Sequence, residues 1–232
     1  MKKNGFIQGK VKNDVIEKYT RKELLYYKLY THQLASFEKK TDSPLCPFVN
    51  IDVNLGILWG ESTQTIDMEE YLYYTEKRTI FGIEVSVLSP IYEFIALCLH
   101  HYKDMNSIYL LAERGICLNE FFDIYYYIVN VKMDIDELKS AAEKYQVQEY
   151  VYYCIYYANE IFQNTYLEQY LASLETLKAL KLLDCYGLTE SERKKWKIPF
   201  LERLFDPDFK TRFLKSLSEE EIQKIKINKQ YM

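Results

Sequence analysis

Beyond residue 89 the sequence contains four long segments with helical periodicity and no segment that alternates like a strand. The helical segments span residues 118–131, 136–145, 148–163 and 167–183. Glycine and proline, which favour tight turns, number only 7 and 5 in 232 residues, so long helices are expected to outnumber hairpins. Within 148–163 the apolar residues recur on one face, as a core-facing helix requires: Val151, Cys154, Ile155, Ala158, Ile161 and Phe162.

Before residue 90, two segments alternate apolar and polar residues in the manner of half-buried strands. They are VNIDVNLGILW at 49–59 and FGIEVSVL at 81–88. A short apolar piece between glycines, GFIQG at 5–9, predicts a further brief strand, and an acidic segment at 67–76 predicts a short helix. A serine followed by proline at 89–90 is typical of a helix start. The predicted fold is α+β and mainly α, with a small N-terminal mixed sheet followed by a helical bundle.

Two capping boxes mark further helix starts. In each, a hydroxyl residue and a glutamate three positions later satisfy each other's orphan amide groups. Thr20 with Glu23 predicts a helix over residues 20–32, and Ser218 with Glu221 predicts a charged terminal helix.

Composition excludes several classes of partner. The net charge of −4 gives no general attraction to nucleic acid or to anionic membranes, and no apolar run approaches the roughly 20 residues of a bilayer span. The first residues lack the apolar core of a signal peptide. The five cysteines are widely spaced without a C-x-x-C pair, which favours buried, reduced thiols. We therefore expect a cytoplasmic protein that binds neither membrane nor nucleic acid.

Five segments follow one another in a distinctive order between residues 5 and 128. They are GFIQG, YTHQL, VNIDVNLGILW, VLSPIYEFIALCLHHYKD and FFDIYYYI. In this order and spacing the sequence resembles the uncharacterised nucleotidyltransferase family of the polymerase-β-like superfamily. The resemblance implies that residues 1–89 form a partial nucleotidyltransferase-like α/β region and that residues 90–232 form a helical C-terminal region.

The resemblance also implies a chemistry. Such enzymes transfer a nucleoside monophosphate from a nucleoside triphosphate, using three carboxylates that hold two Mg²⁺ ions roughly 4 Å apart. Asp52 stands at the place of the third carboxylate, which makes it the implied catalytic residue and metal ligand. His100 is implied to lie near the nucleotide. Asn54 stands where the family frequently has histidine; this argues against a metal-linked role and leaves Asn54 as a substrate-binding candidate.

Plainer interpretations of the same residues stay open. Asp52 has Asn50 and Asn54 on its own strand face, and all three suit the water-facing side of a sheet. His100 suits the end of a core helix, bonded to a backbone carbonyl, and the adjacent His101 projects about 100° away, so the two do not easily share one ion. Asp123 is implied to orient a neighbouring helix or a basic residue such as Arg114.

The family's other two carboxylates form a D-x-D pair after a Gly-Ser turn, ahead of the segment that GFIQG matches, where only four residues stand here. Neither candidate substitute fits. Asp134 and Asp136 lie at a predicted helix start, where acids favour the helix dipole, and Asp206 and Asp208 flank a proline. We therefore expect a nucleotidyltransferase-family protein that is catalytically incomplete as this single chain.

Three explanations of the missing pair stay open: a split enzyme, a degenerate relative that keeps the scaffold, or a mis-called start. If the site is completed, a protein partner supplies the missing segment, and Mg²⁺ and a nucleoside triphosphate bind. A homodimer is the other expected assembly, because an unpaired strand edge left by the absent segment seeks a partner. The alternative from another class is a non-catalytic binding module that recognises a protein or peptide through its helical half.

Overall fold

The structure is a computed structural model that describes residues 1–31, 33–60, 62 and 64–231. It confirms the predicted class, α+β and mainly α, with a small N-terminal sheet followed by helices. The chain divides into two compact units, Met1–Gly60 with Ile227–Met232, and Glu61–Lys226. The division into regions 1–89 and 90–232, which follows the family resemblance, stays a prediction.

The first unit is built on a four-stranded sheet. Its strands are β1 (Ile7–Lys12), β2 (Val15–Lys18), β3 (Gln33–Lys40) and β4 (Phe48–Asn54), in the order β2-β1-β3-β4. Every pairing in this sheet is antiparallel, so the prediction of a mixed sheet was wrong in that respect. Short connections join β1 to β2 and β3 to β4, which suits antiparallel neighbours.

The helix predicted over residues 20–32 is much shorter. Helix α1 (Arg21–Tyr26) begins at the predicted capping box, with Thr20 accepting from the Glu23 amide, and a π-helical turn follows at Tyr27–Thr31. His32 lies outside the described residues. The next residues form β3, a strand missed from the sequence because the segment lacks a regular alternation.

In the second unit a hairpin precedes the helices. The acidic segment forms only one turn, α2 (Met68–Tyr71), and β5 (Thr75–Ile80) then pairs with β6 (Ile83–Leu88). The remaining elements are α3 (Pro90–Asn106), α4 (Ile108–Glu113), α5 (Leu118–Asn130), α6 (Ile135–Lys144), α7 (Gln148–Phe162), α8 (Thr165–Leu174), α9 (Leu177–Leu182), β7 (Cys185–Tyr186), β8 (Lys194–Lys195), α10 (Phe200–Leu204), α11 (Phe209–Ser216) and α12 (Glu219–Tyr231).

Helix α7 lies at the centre of this unit and packs against α3, α5, α8 and α9. Val151, Cys154, Ile155 and Ala158 are fully buried, which confirms most of the predicted apolar stripe. The neighbouring tyrosines of α7 are also buried, so the helix is enclosed on nearly all sides over most of its length. A helix that is apolar around most of its circumference belongs in a core.

The other predicted helices are close to those observed, with one break. The segment 167–183 forms two helices, α8 and α9, because Thr176 accepts a hydrogen bond from the Ala179 amide and starts a new helix. Threonine side chains compete with helix continuation in this way. The Ser218–Glu221 capping box is present at the start of α12.

All five cysteines are free; Cys98, Cys154 and Cys185 are buried, whereas Cys46 is exposed. Among the described residues, no helix has both the length and the apolar character that crossing a bilayer demands.

Candidate functional site

Strand β4 presents Asp52 to solvent. The carboxylate residue is exposed, while Ile51 and Val53 on the opposite face are half-buried, as the alternation predicted. Val49, an apolar residue of the predicted alternation, is 37% exposed. Strand β4 ends at Asn54, five residues before the predicted end of the strand. The alternation of apolar and polar residues therefore extends past the last residue that pairs with β3.

A second carboxylate lies on the same face of the sheet. Glu38 on β3 pairs directly with Asn50 on β4, and the Asn50 Nδ2 donates a hydrogen bond to Glu38 Oε1 at 2.5 Å. Directly opposed residues share a face, and alternate residues along a strand do too, so Glu38, Asn50, Asp52 and Asn54 line one face. Glu38 is buried. It was missed from the sequence because β3 was not predicted.

Opposite Asp52 the sheet has a bulge. Leu34 pairs with Val53 and Phe37 pairs with Ile51, so two residues of β3 oppose Asp52 alone. Bulges re-aim side chains and are common beside functional sites. Burial raises the pKa of Tyr27, and the negative charge of nearby Asp52 adds to that rise.

His100 and His101, adjacent on α3 of the second unit, meet different partners. The Nε2 atom of His100 lies 3.2 Å from Asp104 Oδ2, and the Nε2 atom of His101 lies 3.3 Å from Asp123 Oδ2. The expectation that the two rings diverge is therefore confirmed. The His100 ring pairs with a carboxylate instead of the backbone carbonyl considered from the sequence, and its side chain is 54% exposed.

Three buried side chains, His101, Asp104 and Glu120, form a polar cluster between α3 and α5 with the partly exposed Arg114, and we call these four the α3–α5 cluster. Arg114 Nη2 lies 2.8 Å from Glu120 Oε1 and also contacts Asp104 Oδ2. His101, Asp104 and Glu120 are each at least 93% buried, whereas the Arg114 side chain is 40% exposed. One arginine thus pairs with two buried carboxylates, and Lys103 Nζ lies 3.6 Å from Asp104 Oδ1.

Burial dominates the electrostatics of this cluster. Loss of hydration raises the pKa of Glu120 to about 7, and the opposing influence of Arg114 does not outweigh it. Burial also lowers the pKa of His101, aided by His100, against the pull of Asp123 and Asp104 towards the charged form. This shift favours the neutral imidazole of His101 over the charged one.

Of the two roles implied for Asp123, orienting a neighbouring helix agrees with its contact to His101 on α3, whereas Arg114 binds Asp104 and Glu120 instead. Asp104 and Glu120 were not selected as site residues from the sequence. The three-residue spacing of His101 and Asp104 on a predicted helix was the available signal, because residues at that spacing share a helix face. Nothing in the sequence paired them with Glu120.

Both candidate substitutes for the D-x-D pair have local structural roles. Asp134 caps α6 by accepting a hydrogen bond from the Glu137 amide at 2.9 Å. Asp206 accepts from the Asp208 amide at 2.9 Å and pairs with Arg212 at 3.3 Å. These contacts agree with the interpretation that neither pair replaces the missing carboxylates.

The comparison with protein families identifies the class of protein. The model of a family described as uncharacterised nucleotidyltransferase matches residues 1–163, and the chain belongs to this family. That range includes β4 with Asp52 and the α3–α5 cluster. No significant match was found among curated proteins or among solved structures.

Proposed function

We propose that this chain takes part in transferring a nucleoside monophosphate from a nucleoside triphosphate to an acceptor, with Asp52 as a ligand of a catalytic Mg²⁺ ion. The observation that carries the proposal is that residues 1–163, which include Asp52, match a nucleotidyltransferase family. The exposed position of Asp52 on β4, opposite a bulge, leaves its carboxylate accessible to a ligand. An acid on a solvent-facing strand beside a bulge is well placed to meet a metal-bound triphosphate.

The β4 face that carries Asp52 offers the type of ligand that Mg²⁺ prefers, but it offers fewer carboxylates than two Mg²⁺ ions need. Mg²⁺ prefers oxygen donors, and the carboxylate of Asp52 is one. Two ions about 4 Å apart need carboxylates on several sides. A single exposed carboxylate does not fix two ions, so we derive no catalytic step through them.

We further propose that the 232 residues are catalytically incomplete by themselves and that the D-x-D pair comes from a segment outside them. β4 is the last strand in the order of the described sheet. Edge strands offer backbone groups to a further strand. This supports completion of the site by strand addition from a protein partner. A second copy of the chain would pair with the same edge as a homodimer without supplying the D-x-D pair.

Asn54 and His100 are the proposed nucleotide contacts. Asn54 is exposed at the end of β4, on the face that carries Asp52. His100 belongs to the other compact unit, and its exposed ring leaves it accessible to a ligand. For His100 the support is the family resemblance of the helix that carries it.

The test uses a paramagnetic probe, because binding through one carboxylate is expected to be weak. Mn²⁺–ATP is added to the isotopically labelled full chain, and broadening of amide resonances is followed by NMR. We expect broadening of residues 51–53 in the wild-type chain and its loss in Asp52→Asn. The matched control is Asp42→Asn, which removes another exposed carboxylate from the same unit and is expected to leave the broadening unchanged.

Two outcomes would contradict the proposal. Equal broadening in the wild-type chain and Asp52→Asn would remove Asp52 from the site. Metal-dependent release of pyrophosphate from any of the four ribonucleoside triphosphates by the chain alone would refute its incompleteness.

A second candidate function is protein or peptide binding through the helical half, favoured by an apolar stripe on α5. Its members are each more than 40% exposed and recur at helical spacing: Leu118, Phe122, Tyr126 and Val129. Apolar stripes of this kind are typical of surfaces that dock a partner.

Peptide selection discriminates between the two candidates. A phage-displayed library is selected on the wild-type chain and on Phe122→Asp, with Leu177→Asp as an exposed apolar control on α9. Enrichment that Phe122→Asp abolishes and Leu177→Asp preserves, without Mn²⁺–ATP broadening, favours the binding module. Broadening of the amide resonances by Mn²⁺–ATP without enrichment of any peptide favours transfer of a nucleoside monophosphate.

A further inference from the structure

Three buried side chains between α3 and α5 lie close enough to share one metal ion. His101, Asp104 and Glu120 each present a nitrogen or oxygen atom within 4.8 Å of the other two. Among the described residues, this is the one group of three or more histidine, cysteine or acidic side chains that meets this spacing. Tetrahedral ligand atoms at about 2.0–2.1 Å from an ion lie about 3.3 Å from one another. Side-chain movements of about 1 Å would therefore bring these atoms from within 4.8 Å of one another to that spacing.

The helices explain how the group assembles. His101 and Asp104 are three residues apart on α3 and therefore project from the same face, and Glu120 comes from the first turn of α5. Packing of α3 against α5 brings the three together. Pairs of ligands at this spacing on one helix, completed from a facing helix, are a recurrent way to build metal sites in helical bundles.

An independent observation on His101 points to a ligand. The residue is 93% buried, yet neither ring nitrogen has a hydrogen-bond partner in the described structure. The contact with Asp123 at 3.3 Å brings the two groups close without hydrogen-bond geometry. Burying an unsatisfied polar group costs free energy. An imidazole nitrogen within 4.8 Å of two carboxylate oxygens is, however, well placed to bind a metal ion.

We propose that His101, Asp104 and Glu120 form a binding site for a first-row divalent ion of the zinc class. One imidazole nitrogen and two carboxylate oxygens form a ligand set that suits Zn²⁺ and its neighbours. Three protein ligands leave a fourth position for water or another group. The ligand set shares no residue with the one proposed for Mg²⁺ at Asp52.

Arg114 competes with the ion. Its guanidinium binds the same carboxylates that the ion would use, through Glu120 Oε1 at 2.8 Å and through Asp104 Oδ2. Its side chain is 40% exposed, so it has a path into solvent when a dication takes its place. The proposal therefore predicts that removing Arg114 strengthens metal binding, whereas a purely structural ion-pair cluster predicts no metal binding in either protein.

The probe is Co²⁺, which reports on ligands through its visible absorption, and Zn²⁺ is then used as a competitor. The full chain is stripped of metal with a chelator and titrated. We expect a saturable absorption at one ion per chain, removed by Zn²⁺. Glu120→Gln is expected to weaken binding at least about tenfold, and Arg114→Met to tighten it by about tenfold. Glu113→Gln, the same change at an exposed neighbouring position, is the control and should bind like the wild type.

Absence of the absorption in both the wild-type chain and Arg114→Met would overturn the proposal, as would unchanged binding in Glu120→Gln. If Glu120→Gln fails to fold by circular dichroism, thermal unfolding of the wild-type chain decides. A rise in Tm with Zn²⁺ that is absent with Mg²⁺, and larger in Arg114→Met, supports the site, and no rise in either protein refutes it.

Discussion

The β4 face and the α3–α5 cluster both display carboxylates, and they place them in opposite surroundings. Asp52 stands exposed on a strand, with water as its main neighbour, whereas Asp104 and Glu120 are buried and share one arginine. An exposed acid is available to a ligand at little cost to the fold. A buried acid must be neutralised, so it is tied to stability as well as to any ligand. Substitutions of Asp52 should therefore affect ligand binding with little loss of stability, whereas substitutions in the α3–α5 cluster should affect stability as well.

The largest difference in the free energy of unfolding is expected between substitutions of apolar side chains that pack in each region. Leu99 on α3 is fully buried, and Leu99→Ala should destabilise the helical unit by about 2–5 kcal/mol. Val53→Ala on the half-buried face of β4 should cost about 1 kcal/mol. Native-state hydrogen exchange measures the two units separately. Equal losses would show that the sheet is packed as tightly as the helices.

Removing the arginine of the α3–α5 cluster should have the next largest effect. Arg114→Ala leaves Asp104 and Glu120 buried without their shared cation, at a cost of about 3 kcal/mol, the lower end for a broken buried pair because Arg114 reaches solvent. The control is Lys224→Ala, which breaks an exposed pair with Glu220 and should cost less than about 0.5 kcal/mol. Urea denaturation gives both values, and a similar small loss in both variants would mean that the cluster contributes nothing to folding.

A smaller effect is expected at the capping box of the sheet unit. Thr20→Ala removes the acceptor of the Glu23 amide and should cost about 1 kcal/mol. The pKa of Glu23 is lowered from 4.5 to about 2, chiefly by its hydrogen bonds with Thr20. Because the folded pKa lies below the unfolded one, this carboxylate stabilises the fold above pH 4.5, and the contribution is lost as the pH falls towards 2.

An NMR titration of the Glu23 carboxyl carbon measures this directly. In Thr20→Ala the pKa should rise towards 4.5, and the loss of stability between pH 4.5 and 2 should become shallower. A titration that is the same in both proteins would assign the low pKa to the backbone amide of residue 20, which donates to Glu23 Oε2 at 2.7 Å and is kept in the variant, or to Lys10, which pairs with Glu23 at 3.1 Å.

The smallest effect on stability is expected at Asp52. Asp52→Ala changes an exposed side chain and should alter the free energy of unfolding by less than about 0.5 kcal/mol. Two positions away, Asn50→Ala should cost about 1–2 kcal/mol, because it removes the donor to the buried Glu38. A large loss in Asp52→Ala, measured by urea denaturation, would give Asp52 a structural role.

Sequence reasoning worked where local patterns decide structure. The helices α5, α6 and α7 and the caps at Thr20, Asp134 and Ser218 follow from periodicity and from side chains that bond to nearby amides. The strand around Asp52 was predicted because its alternation is regular. β3 was not predicted because its bulge shifts the alternation of apolar and polar residues by one position. Glu38 was missed for the same reason.

The sequence by itself determined the family, the class of fold and the alternation that turns Asp52 away from the apolar side chains beside it, because these are written in short-range order along the chain. Only the tertiary structure decided that His101, Asp104, Arg114 and Glu120 meet, since α3 and α5 must pack before residues from separate elements share one buried space. Burial then sets the charge of Glu120 and leaves the His101 nitrogens without hydrogen bonds within the described structure. Glu120 and His101 lose their hydration only when α3 and α5 pack together, and the local sequence does not indicate which residues that packing will bury.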